Sequence, residues 1–115
     1  MPHIDFPISD LPLDTAGRVE HEHMAIVVTR TASGISAFVD VCPHAAWPLS
    51  GGLVENGVLS CDGHGWEFDL KDGRCQNAPA YCLTPVKFTT MGDFLRLEWE
   101  RNLANKPSLC SIGQQ

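Results

Sequence analysis

Four residues of this 115-residue chain have the types and spacing to hold a metal: Cys42, His44, Cys61 and His64. They fall in two short segments, Cys42-x-His44 and Cys61-x-x-His64, separated by sixteen residues. Thiolate sulfur with imidazole nitrogen is a ligand set for tetrahedral zinc and for a mixed-ligand iron–sulfur cluster. Any one of the four alone reads as a buried cysteine or a surface histidine. Four of them in two matching Gly/Pro-rich loops read as a site. Structural zinc sites usually draw Cys pairs or His pairs from separate elements. Here each loop offers one of each, which suits a dinuclear cluster with both Cys on one iron and both His on the other. Zinc stays open as the competing reading. The nearby glycines, Gly63 and Gly65 with Gly51 and Gly52, are expected to let backbone N–H groups approach the bridging sulfides.

The elements that must carry these loops read as short strands. Residues 24–30 and 35–41 flank the turn Thr31-Ala-Ser-Gly34 and form a hairpin. Residues 57–61 and 66–70 read as two more strands, with Lys71-Asp-Gly-Arg74 a tight turn after the second. Residues 85–89 and 94–99 alternate apolar and polar side chains around Met91-Gly-Asp93, a further hairpin. No window sustains a helical period, so no long helix is expected, and residues 100–115 read as a loosely patterned tail. The two ligand-bearing loops, 42–52 and 61–65, each follow a strand. Trp66 and Phe68 are expected beneath the second loop, and Phe94 and Trp99 in the core or at a strand edge.

Composition narrows the function. The chain is 43% hydrophobic, enough for one core, and its 10 Gly and 8 Pro favour a loop-rich all-β domain. A net charge of −6 argues against nucleic acid, whose binding needs clustered Lys and Arg, and against an anionic membrane surface. A partner with a basic patch is the natural complement. No secretory signal and no membrane-spanning run are visible, so the expected location is the cytoplasm. There the 5 Cys should be reduced. Cys75, Cys82 and Cys110 read as small buried hydrophobes or a free tail thiol rather than as further ligands or a redox pair. His3, His21 and His23 read as exposed polar residues.

Cys42-Pro-His44 through Leu49-Ser-Gly-Gly52, then Cys61-Asp-Gly-His64-Gly-Trp66-Glu-Phe68-Asp69, resembles the Rieske [2Fe–2S] family. Gly73-Arg-Cys75, Pro79-Ala80, Pro85-Val86 and Trp47 resemble in particular the ferredoxin components of bacterial aromatic-ring-hydroxylating oxygenase systems. The resemblance implies an antiparallel β-sandwich core over residues 1–99, with a small cluster-binding subdomain formed by two loops within about 41–82, and a tail at 100–115. It implies one [2Fe–2S] cluster on Cys42, His44, Cys61 and His64, with the His-ligated iron outermost, and a third loop over the cluster near Pro79. The implied role is one-electron transfer from an NAD(P)H-dependent flavin reductase to a terminal oxygenase in aromatic hydrocarbon catabolism; the chain itself is then not an enzyme. Di-iron monooxygenases and nitrite reductase complexes are alternative clients. The catalytic subunit of such an oxygenase is a poorer match, because no His follows His64 to build its mononuclear iron site. Respiratory Rieske proteins brace the cluster with a loop disulfide, at positions that are Trp47 and Gly63 here. They also hydrogen-bond it from a Ser where Trp66 stands. Fewer stabilising contacts imply a potential near the low end of the known Rieske range, about −150 rather than about +300 mV.

Overall fold

The computed structural model describes residues 2–22, 24–43, 47–61, 65–100 and 103. Among them are nine strands: β1 (His3–Pro7), β2 (Ala16–His21), β3 (Met24–Thr31), β4 (Gly34–Val39), β5 (Leu53–Glu55), β6 (Val58–Ser60), β7 (Glu67–Asp69), β8 (Lys87–Met91) and β9 (Phe94–Glu98). A 3₁₀ turn, Ile8–Asp10, follows β1. The strands form three antiparallel sheets ordered β1-β9-β8, β2-β3-β4 and β5-β6-β7. The expected all-β architecture is the one observed.

Strand β3 explains how the sheets are layered. Its Ile26-Val-Val28 run is fully buried although neighbouring side chains in a strand face opposite ways. A strand buried on both faces reads as continuously apolar rather than alternating. Ile26 and Val28 pack with Leu95, Leu97, Val86 and Trp99 in one core. Val27 turns to a second core with Phe38, Leu59, Phe68, Cys42 and Cys61. The β2-β3-β4 sheet is therefore a shared wall, with β1-β9-β8 supplying the first core and the small β5-β6-β7 sheet the second.

The two expected hairpins form around their turns, and the two further strands expected at 57–61 and 66–70 pair with each other. Thr31 pairs with Gly34, and Met91 with Phe94, leaving two-residue loops, and β6 pairs with β7. The turn after β7 closes as Asp69 Oδ1 accepts from Lys71 N–H (2.8 Å) and Asp72 Oδ1 from Arg74 N–H (2.9 Å). Trp99 is buried; Phe94 is not core but 47% exposed, because it opens β9 at the turn rather than continuing into it. Of the tail only Glu100 and Leu103 are described, and Leu103 packs against the first core. His3 lies in β1, and His21 rests edge-on against Trp99 at 5.8 Å; His23 lies outside the described residues.

Candidate metal centre

Both cysteines of the motif emerge at the ends of strands. Cys42 follows β4 by three residues and Cys61 follows β6 directly. Cys42 N–H donates to the Trp47 carbonyl and Cys61 N–H to the Trp66 carbonyl, each at 2.7 Å. Each loop is thus closed by the same bond, from a cysteine amide to the carbonyl of a tryptophan five residues on. Equal closure leaves both sulfurs turned into the same core, with Cys42 at 0% and Cys61 at 1% exposure. Neither is disulfide-bonded. His44 and His64 lie outside the described residues, so among the described residues no set of three metal-ligating side chains is assembled.

The described glycine amides of the loops are hydrogen-bonded to backbone carbonyls. Gly51 N–H donates to Ala16 O, Gly52 N–H to Leu49 O and Gly65 N–H to Cys61 O, at 2.9–3.1 Å. The Gly51 amide thus ties the first loop to β2, and those of Gly52 and Gly65 close their own loops; Gly63 lies outside the described residues. What is needed at Gly52 is the missing side chain, since a Cβ there would collide with the Ser60 carbonyl oxygen. Gly65, at φ +71°, holds a left-handed turn that side chains disfavour.

A third segment, 75–82, packs beside the second loop. Gln76 N–H donates to Glu67 O (2.7 Å), and Glu67 N–H to Asn77 Oδ1 (2.8 Å). Trp66 is half-buried against the core and lies tilted over Tyr81 at 5.8 Å. Phe68 is fully buried, so the expected support beneath the second loop is present. Trp47 is 46% exposed. Cys75 is a buried thiol whose sulfur accepts from Ala78 N–H at 3.4 Å, as the packing reading had it. Cys82 corrects the expectation of reduced thiols: it is disulfide-bonded. Cys110 lies outside the described residues.

Two polar residues escaped the sequence reading. Asp40 is 3% exposed, just ahead of Cys42, and pairs with Arg18 at 2.6 Å. Glu20, hydrogen-bonded at 3.0 Å, and then Asp40 hold the Arg18 guanidinium even more firmly protonated than usual. The available signal was alternation: Asp40 continues the inward face of Phe38 and so had to point toward the second core.

This all-β frame with two equivalent cysteine loops defines a metal-binding β-sandwich. The Rieske [2Fe-2S] domain family matches residues 2–87. The chain belongs to the Rieske family, and its cofactor is one [2Fe–2S] cluster. The donor set fits that group: Rieske clusters take two thiolates and two imidazoles, and two buried, reduced sulfurs stand in equivalent loops, each followed closely in sequence by a His. The chain is 33% identical over 97 residues to chlorophyllide a oxygenase of Arabidopsis thaliana, covering 78% of this chain and 18% of that protein. It is 34% identical over 65 residues to the ferredoxin component of the alkene monooxygenase system of Xanthobacter autotrophicus, covering 56% of this chain and 51% of that one. In fold it resembles the ferredoxin of carbazole 1,9a-dioxygenase from Nocardioides aromaticivorans, with a TM-score of 0.75, 15% identity and coverage of 83% of this chain and 94% of that one. The chain thus spans about half or less of these two sequence relatives and nearly all of the structural one. No helix among the described residues is long and apolar enough to cross a membrane.

Proposed function

We propose that Cys42, His44, Cys61 and His64 hold the cluster and that the chain is a one-electron carrier, a Rieske ferredoxin. It takes electrons from an NAD(P)H-dependent flavin reductase and delivers them to a terminal oxygenase, an aromatic-ring-hydroxylating dioxygenase. The observation that carries this reading is the matched closure of Cys42 on Trp47 and Cys61 on Trp66, which leaves two buried thiols for one buried centre. When bound, the cluster accepts and releases one electron at a time, which divides a reductase's hydride into the single electrons an oxygenase uses. The chain's own part is to exclude water from the sulfurs, fix the loops and present a docking surface around His44 and His64, with Trp47 on its rim. Residues 1–99 form the working domain, with 41–82 as its cluster-binding part and 100–115 as a tail. The chain itself catalyses no substrate reaction and works in the cytoplasm.

Iron and acid-labile sulfide should each come to about two per chain, as a [2Fe–2S] centre requires, and Cys42→Ser or Cys61→Ser should lose both. Stoichiometric zinc without sulfide would refute the assignment. Turnover by a reconstituted dioxygenase that depends on this chain tests the client. The likeness to the alkene monooxygenase ferredoxin favours a second reading, in which a monooxygenase is the client, and the same assay with that oxygenase separates the two.

A further inference from the structure

The first loop contains a charged clamp. The Asp40 carboxylate is completely buried. Its Oδ1 accepts from the backbone N–H groups of Leu49 (2.6 Å) and Ser50 (2.8 Å). Its Oδ2 accepts from Ser50 Oγ and from the Arg18 guanidinium, both at 2.6 Å. One side chain therefore joins the entrance of the loop, two residues before Cys42, to its exit at residues 49 and 50, and ties both to β2. A buried carboxylate is tolerated only when its lone pairs and charge are met, and here four donors meet them. Arg18, itself 40% exposed, is the sole cation among those donors. The second loop, where described, is tied by neutral groups instead, Glu67 N–H to Asn77 Oδ1 among them.

We propose that Asp40 is the positioning residue of the metal centre: it clamps the first loop around Cys42 and, with Arg18 as counter-charge, tunes the electrostatics the cluster meets. This rests on Cys42 being a ligand. Reduction adds a negative charge, so a fixed anion nearby opposes it and a fixed cation favours it. Removing Asp40's charge should therefore raise the potential, whereas removing Arg18's should lower it. A purely mechanical clamp would weaken in both variants without such opposite signs.

Iron-loaded wild type, Asp40→Asn and Arg18→Met are compared by bleaching of visible absorbance under excess chelator and by protein-film voltammetry, with thermal melts of the iron-free chains alongside. D40N should bleach about tenfold faster than wild type, the scale of one lost charge-assisted hydrogen bond. Its potential should move up, and that of R18M down. Equal bleaching rates, or potentials that do not move in opposite directions, overturn the proposal. Should D40N assemble no cluster, R18M decides alone: a lowered potential supports the proposal, and an unchanged or raised one overturns it. Wild-type chain without iron and sulfide would overturn the ligand assignment, and this proposal with it, whereas loaded wild type with indifferent variants overturns the clamp alone.

Discussion

Trp47 and Trp66 accept the same hydrogen bond in equivalent loops, yet one ring lies 46% exposed and the other packs over Tyr81. Burial of a large aromatic stabilises a fold, whereas an exposed one near a redox centre is available to anchor a partner. Trp47→Ala should therefore keep its iron and its melting temperature, because the Trp47 backbone carbonyl still accepts from Cys42, and should slow electron transfer to the oxygenase. Normal transfer in an intact variant would take Trp47 off the docking surface; lost iron or a large fall in melting temperature would make it a packing residue. Candidate ligands are legible in sequence because only a few side-chain types bind iron, and their spacing survives whatever the backbone does. Asp40 was not legible in that way. A carboxylate becomes a clamp only through the amides that fold back upon it, and Leu49 and Ser50 carry no mark of doing so.

Among the elements, β7 holds the metal-side core through Phe68, which has 0% exposure and packs with Cys42 and Cys61. Phe68→Ala should cost about 3–5 kcal/mol in chemical denaturation and speed iron loss. Phe88→Ala, at a site 37% exposed on the edge strand β8, should stay within about 0.5 kcal/mol of wild type. Strand β1 is held to β9 partly by Arg96, which donates to both Asp5 oxygens at 2.8 and 2.9 Å. Arg96's hydrogen bond holds the Asp5 carboxyl below its ordinary range. A lowered folded pKa means the stabilisation is present above the unfolded value, about 3.9, and is lost as pH falls through the folded one. Asp5→Asn should lower the melting temperature slightly at pH 7, the effect being small because both partners are partly exposed, and the gap should close below about pH 4. A gap that persists in acid would assign the loss to something other than the ion pair. The hairpins β3–β4 and β8–β9, and β6 and β7 as separate strands, were readable because turn residues and alternation are local. Strands β1, β2 and β5 were not: β1 has its partner at the far end of the chain, β2 carries Gly17 and charged Arg18 and Glu20, and β5 follows directly on the Gly-rich end of the first loop.

For the molecule as a whole, the net charge of −6, with Asp and Glu outnumbering Lys and Arg, favours long-range attraction to a partner with a basic surface. Electron-transfer rates to reductase and oxygenase should fall as ionic strength rises past about 0.1 M, where the screening length shrinks to about 10 Å. A rate indifferent to salt would exclude such steering. The layering around β3 was beyond the sequence, since a run of buried valines and isoleucines does not say which neighbour covers which face. That wall has a consequence for the life of the protein between loadings. All three described reduced cysteines line one side of it, while the other side, from Leu11 to Trp99, contains no sulfur but Met24. Thiol-directed oxidants and chelators thus meet the described reduced cysteines in one compartment. The opposite compartment is a keel: Ile4 and Phe6 of β1 and Leu95 and Leu97 of β9 pack with Ile26 and Val28 of β3 without any residue of the two cysteine loops, so that core should stay folded when iron is stripped away and the loops slacken. An emptied chain should then behave as a mould awaiting refilling, not as a coil that must fold again from the beginning.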